Sequence, residues 1–404
     1  MKAMPRSRVD EEEVDRFSNY MNVSKDLSIG IVKLVSFLVI FVAGVVLGLA
    51  ASAHVSRHFT SSHTELFFPP HNFPVPSHEK EGCLTINNCE EEDCLSIKSF
   101  INPSHLTHSM TDEELFWRAS MMPKKDAYPY DRVPKVAFMF LTRGPLPLMP
   151  LWEKFFNGHE GLFSVYVHAL PGYELNVSKT SAFYSRQIPS QDVQWGTATL
   201  TDGERRLLAN ALLDFSNERF ILLSESCIPI YDFTTVYEYL IGSSHSFVDA
   251  YDDPTRYGRG RYSRHLFPDI KLAQWRKGSQ WFEMNRYLAV SIISDSQYYS
   301  LFCKYCKPSC YPDEHYLPTY INMFHGQMNA NRSVTWVDWS RGGPHPASYG
   351  RYDITEGFIQ SIRNNGTTCF YNSKQTSVCY LFARKFAPSA LMPLLNISST
   401  VMKF

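Results

Sequence analysis

Cys310-Tyr311-Pro312-Asp313-Glu314-His315-Tyr316-Leu317-Pro318-Thr319 sets two adjacent carboxylates and a histidine between two prolines, in an aromatic and apolar neighbourhood. Proline is tolerated at the first helical position and breaks or kinks a helix further in. Pro312 is therefore expected to open a short helix and Pro318 to close or kink it. Asp313 and Glu314 fall in its first turn, where the helix dipole favours negative charge. A carboxylate held there stays ionised and can take a proton from a substrate hydroxyl. The plainer reading is two acids decorating a helix N-terminus, as acids commonly do. On composition alone the plainer reading is the better one, so the surroundings have to decide.

Two basic clusters stand out. Arg256-Tyr257-Gly258-Arg259-Gly260-Arg261-Tyr262-Ser263-Arg264-His265 packs four arginines among aromatics and glycines. Arginine forks suit phosphate and carboxylate, so the cluster points modestly to an anionic ligand. Lys374 and Arg384-Lys385 flank Cys379; Cys369 and Cys379, ten apart, could form a local disulfide that fixes this loop. A diphosphate needs countercharge, which a metal or several basic side chains can supply. Asp249, Asp252 and Asp253 could bind a divalent ion, but their spacing is loose and structural or acceptor-side roles rank above a metal site. Cys303-x2-Cys306-x3-Cys310 has metal-like spacing, yet pairing with Cys83, Cys89 and Cys94 is the better reading. No zincin, nucleophile-elbow, Walker or dinucleotide motif is present.

Elements must hold these residues in place. Lys135 to Leu141 (KVAFMFL) is a continuous apolar run and reads as a buried strand, followed by helical spacing at Leu148, Leu151, Trp152 and Phe155. Leu162 to Ala169 is a second strand, and Phe220 to Leu223 a third. Thr201-Asp202-Gly203-Glu204 reads as a capping box opening a helix, as does Thr111-Asp112-Glu113-Glu114. Phe233 to Ile241 reads as a helix and Ser246 to Tyr251 as a fourth strand. Such alternation implies an α/β fold with a mostly parallel central sheet covered on both faces. Ligands then bind beyond the carboxyl ends of the strands. Those exits are Thr142-Arg143, His168, Ser224-Glu225 and the acidic run from Asp249 to Asp253.

The chain has 404 residues, 44% hydrophobic and 20% charged, with 39 Lys+Arg against 40 Asp+Glu. Nothing global argues for nucleic-acid binding. Leu34 to Ala53 carries no charge over 20 residues, the length of a membrane-crossing helix. Small residues follow it, but it starts too late and runs too long for a signal peptide. Arg16, Lys25 and Lys33 precede it closely and only Arg57 follows, which places the N-terminus in the cytoplasm. All nine cysteines and the sequons at Asn176, Asn331, Asn365 and Asn396 lie after the span, as in an oxidising lumen. The expected organisation is a cytoplasmic tail (1–33), a signal-anchor (34–54), a lumenal stem (55–130) and a folded domain (131–404).

The strand exits, the Pro-Asp-Glu-His segment and Leu381-Phe382-Ala383-Arg384-Lys385-Phe386 together resemble the core-2/I-branching β-1,6-N-acetylglucosaminyltransferase family. Phrases like those of the family's plant branch are Tyr251-Asp252-Asp253-Pro254 with GRGRY, Gly278-Ser279-Gln280-Trp281, and Ser377-Val378-Cys379 before LFARKF. The similarity spans roughly Pro134 to Leu395. It implies a GT-A-like fold and an inverting transferase in the Golgi lumen, moving GlcNAc or another sugar from a UDP donor to a glycan or glycoprotein acceptor. Plant-branch likeness suggests cell-wall glycans. The resemblance makes Glu314 the general base and sets Lys385 against the leaving diphosphate, with basic side chains in place of a metal or other cofactor. A family arginine position holds Thr376 here, with Lys374 and Arg384 as substitutes. Thr142, Arg143, His168 and Trp195 align with nucleotide-contacting positions, His168 replacing an aspartate. Arg259, Arg261, Arg264, Trp281 and Trp336 fall on the acceptor side. The alternative is a lumenal glycan-binding or scaffold protein that keeps the fold without turnover.

Overall fold

The computed structural model describes residues 38–45, 106–123, 128, 131–306, 310–364 and 366–404. The chain divides into two units, Met1–Thr85 and Ile86–Phe404. Of the first, residues 38–45 are described and form a helix with exposed apolar side chains. No helix among the described residues is long and apolar enough to cross a membrane. The rest of the expected span, the tail and residues 55–105 of the stem lie outside the described residues.

In the second unit Thr111 caps α1 (Asp112–Ser120) with the expected capping box, its hydroxyl accepting from the Glu114 N–H while the Glu114 carboxylate accepts from the Thr111 N–H. β1 (Lys135–Leu141) is apolar throughout because both its faces are covered. Val136, Phe138 and Phe140 enter one core, while Ala137, Met139 and Leu141 enter another on the opposite face. α2 (Met149–Phe156) packs on the first core through Leu151, Trp152, Phe155 and Phe156. β2 (Phe163–His168) follows, then α3 (Ala198–Leu212), which packs on the second core through Leu207, Leu208, Ala211 and Leu212. The expected start at Thr201 is wrong by a turn: Leu200 extends the buried face upstream, Thr197 takes the N-cap, and Thr201 and Glu204 become buried interior positions.

β3 (Asn217–Ser224) pairs with β1 on the side away from β2, and both pairings are parallel. The chain therefore leaves β1 in one direction and returns to its other side, which makes the crevice beyond Leu141 and Ser224 a topological switch point. β4 (Ile228–Pro229) and α4 (Phe233–Ile241) come next. Ser246–Tyr251 is not the expected strand; it makes isolated bridges to Asn329, Glu283 and Lys277. The Asn329 side-chain amide takes the place of a neighbouring strand, accepting from the Val248 N–H at 2.9 Å and donating to its carbonyl at 2.8 Å. The fourth strand is instead β5 (Glu283–Asn285), antiparallel to β3, giving the order β2-β1-β3-β5.

α5 (Arg286–Ser294), α6 (Gln297–Tyr305) and α7 (Pro312–Phe324) complete the second core. β6 (Thr335–Val337), α8 (Glu356–Arg363), the hairpin β7 (Cys369–Tyr371) and β8 (Lys374–Thr376), β9 (Phe382–Arg384) and α9 (Leu391–Ile397) close the fold. A small second sheet, β4-β9-β6, carries Phe382 and Ala383 into the first core. Cys369 and Cys379 are bonded. Cys306 bonds Cys310 rather than an upstream cysteine, since a separation of four already brings the two side chains together. Cys227 and Cys303 are free thiols.

Candidate active site

The Cys306–Cys310 disulfide closes the chain just before α7, and Tyr311 enters the helix at φ 55°, in the left-handed region. That conformation is costly for a residue with a side chain. Neighbours hold the ring: the Arg261 guanidinium lies 4.1 Å over it and the Trp195 ring 5.2 Å away. Pro312 then takes the first helical position, where its missing N–H is no loss.

Pro318 does not close the helix, which continues to Phe324. Lacking an N–H, it leaves the carbonyl of Glu314, four residues earlier, without a helical partner. The Gly278 N–H supplies that bond at 2.8 Å. The surrounding strap is laced to α7 throughout. Arg276 N–H donates to Thr319 Oγ1 at 3.0 Å, and His315 Nδ1 donates to the Arg276 carbonyl at 2.8 Å. Lys277 and Tyr251 exchange both backbone hydrogen bonds at 2.9 Å. A Cβ on Gly278 would stand 2.0 Å from the Asp249 carbonyl oxygen and 2.7 Å from Pro318 Cγ. Gly278→Ala is therefore expected to cost about 1–3 kcal/mol, as overpacking does. A thermal melt checks this, and an unchanged Tm would show that the strap is not held against α7 in this way.

The strap delivers Lys277 to the carboxylate of Glu314. Glu314 Oε2 accepts from Lys277 Nζ at 2.7 Å and from Arg261 Nη1 at 2.6 Å, while Oε1 accepts no hydrogen bond among the described residues. Burial alone would raise this carboxyl, but Lys277 and Arg261 outweigh it and hold it below the ordinary glutamate value. Asp313 is the opposite case: burial, then the charge of Glu314, push it up to about 7. On α3 the buried Glu204 accepts from Gln280 Nε2 at 2.9 Å, and burial followed by the charge of Asp313 pushes it well above the ordinary range. Both shifts favour the neutral acid, whereas that of Glu314 favours the carboxylate.

A second group of cations gathers at the exit of β3. The Phe386 N–H donates to the Ser226 carbonyl at 2.9 Å, which lays the end of β9 along that exit. Lys385 is partly buried there; burial first, then Arg384 and Arg143, lower its ammonium against the pull of Glu225. The Arg384 guanidinium lies 3.9 Å over the Trp281 ring. Lys277 sits at Glu314 and Trp281 under Arg384, four residues apart, a reach of at most roughly 14 Å for extended backbone. One short segment thus carries both groups.

The sequence profile described as Core-2/I-Branching enzyme matches residues 136–363, from β1 to the end of α8. This chain belongs to the core-2/I-branching enzyme family, a family of glycosyltransferases. Glycosyltransferase BC10 of Oryza sativa subsp. japonica is 36% identical to it over 310 residues, which cover 65% of this chain and 76% of that protein. The match to the core-2/I-branching profile contains Arg261, Lys277 and Glu314, whereas Lys385 lies beyond its end.

Within this core-2/I-branching enzyme the other expected site residues scatter more widely. Thr142 is buried at the end of β1, its Oγ1 donating to the Gly144 carbonyl at 3.1 Å, and Arg143 beside it is exposed. His168 is fully buried beneath Gly203, and burial lowers it to about 4, so the ring is neutral. Trp195 is half exposed beside Tyr311 and His345. Arg259 pairs with Asp252, and Arg264 is exposed. Asp253 accepts from the Thr255 N–H and Asp249 from the Ser333 N–H. Trp281 is buried under Arg384, and Trp336 packs on Tyr349 and Phe358. Lys374 stands apart from Lys385. Asn372 at its hairpin tip bonds Ser244 and Gly242, next to carbonyls that Arg219 at the start of β3 holds, the end opposite the strand exits. Asn176, Asn331 and Asn396 are exposed, and Asn365 lies outside the described residues.

Lys277 and Tyr311 were not singled out from the sequence. Their signals were present: Lys277 abuts the Gly278-Ser279-Gln280-Trp281 phrase, and Pro318 lies four residues after Glu314.

Proposed function

We propose that this protein is an inverting, UDP-sugar-dependent glycosyltransferase acting on a glycan or glycoprotein acceptor, with Glu314 as general base. The observation that carries the reading is the Glu314 carboxylate itself, kept ionised by two cations on one oxygen while the other stays open. In the step, Oε1 takes the proton of an acceptor hydroxyl as its oxygen attacks the anomeric carbon. The bond from that carbon to the diphosphate breaks on the opposite face, and UDP leaves with the electron pair. Lys385, Arg384 and Arg143 meet the charge that develops on the leaving group, so the reading asks for no metal. Asp313 and Glu204, held toward their neutral forms, add little competing charge.

The similarity to the rice glycosyltransferase supports turnover over a purely binding role. Anchorage by Leu34–Ala53, with the domain in the Golgi lumen, is part of the same proposal. Its supports are the charge asymmetry around that span and the disulfides Cys306–Cys310 and Cys369–Cys379.

Lys385→Ala is expected to weaken UDP binding roughly 10- to 100-fold, the worth of one charge-assisted hydrogen bond. Calorimetry with UDP measures this, and unchanged affinity would remove Lys385 from the diphosphate site.

A further inference from the structure

Pro318, Gly278 and Lys277 form one device. The proline leaves the Glu314 carbonyl open, the glycine N–H fills it, and the next residue back along the strap is the lysine that meets the Glu314 side chain. The main chain and the side chain of Glu314 are thus both gripped from the same two-residue segment. The Lys277 ammonium makes no other hydrogen bond among the described residues. Arg261, by contrast, also lies against the rings of Tyr311 and Tyr257 and stands on a short turn of the basic cluster.

We propose that Lys277 is a positioning residue for the catalytic carboxylate. Its ammonium pins Oε2 to the strap, so that Oε1 alone is presented to the acceptor hydroxyl, and it supplies the countercharge that keeps the base ready to accept a proton. The proposal rests on the reading of Glu314 as base. The other charged or titratable groups around this carboxylate are Arg261 from the basic turn, Asp313 and His315 on its own helix, Tyr251 from the segment before the turn, and Glu204 on α3 through Asp313. Among them Arg261 and Lys277 are the cations, so loss of Lys277 removes one of two positive partners from a largely buried carboxylate.

The test is a pH titration of the Glu314 carboxyl by carbon-13 NMR of the full-length chain labelled at the glutamate carboxyl carbon. The resonance is assigned by its absence in Glu314→Gln. In Lys277→Met the midpoint is expected to rise by about one pH unit or more relative to wild type, as on removing a close opposite charge. In Lys277→Arg, which keeps the charge, it stays near the wild-type position. A midpoint unchanged in a folded Lys277→Met overturns the proposal; if that variant does not fold, Lys277→Gln carries the same comparison. A purely structural lysine would lower the melting temperature and leave the midpoint alone. Turnover of Glu314→Gln tests the base assignment separately, so failure of either idea is seen on its own.

Discussion

Glu314→Gln is expected to lower the rate of sugar transfer about 100- to 10,000-fold, the usual worth of a positioned general base. The amide keeps the shape of the carboxylate, and its oxygen can still accept from Lys277 and Arg261. Affinity for UDP should therefore stay within a factor of about three, because its cations sit at the exit of β3. The measurement is a pair: turnover of wild type and variant, and UDP binding of both. Loss of turnover with UDP affinity kept fits a base that acts on the acceptor side. Joint loss of both would mean that Glu314 supports the donor site or the fold.

Glu283→Ala is expected to destabilise the domain by about 3–5 kcal/mol, the cost of leaving one member of a buried ion pair alone. The Glu283 side chain is 0% exposed and its partner Arg219 3%, and the two meet through two hydrogen bonds of 2.7 Å each. Arg219 also donates to the carbonyls of Ser243 and His245, so the pair ties β3, β5 and the end of α4 together. Losing the carboxylate would strand the guanidinium inside the protein. Thermal unfolding should show the full drop for Glu283→Ala and a much smaller one for the double change Arg219→Met with Glu283→Leu, since an apolar pair of similar volume removes both charges together. Equal losses in the single and double variants would show that the strands depend on the pair itself.

Much of the scaffold could be read from residue patterns because local rules and tertiary demands agree there. β1 is continuously apolar and is covered on both faces. α4 begins where Asp232 caps it and ends at Gly242. Two of the failures share one cause, the replacement of a backbone partner by something distant in sequence. Ser246–Tyr251 has strand-like composition, but the Asn329 side chain takes the neighbouring strand's place. Pro318 is expected to close or kink α7; the helix runs on to Phe324, and the carbonyl that the proline leaves open is filled by Gly278, some forty positions away. The Cys303, Cys306 and Cys310 spacing allows several pairings, of which the fold makes Cys306–Cys310.

The candidate site was legible to a similar degree. Glu314 drew notice by its type and its place in a first helical turn, and Arg261 by its cluster. That these two meet is a tertiary fact, and so is the arrival of Lys277. Lys374 and Lys385 looked equivalent on either side of Cys379, but the hairpin carries one away and β9 brings the other to the strand exit.

The measurement that bears most directly on the whole reading is release of UDP from a panel of UDP-sugars by the full-length chain, with and without glycan acceptors and EDTA, beside Glu314→Gln. The expected result is selective release from one donor, undiminished by EDTA and lost in Glu314→Gln. Release abolished by EDTA would move the leaving-group charge from Lys385 to a metal and bring Asp249, Asp252 and Asp253 back as its ligands. No release from any donor, or equal release by the variant, would contradict a transferase that uses Glu314 as its base.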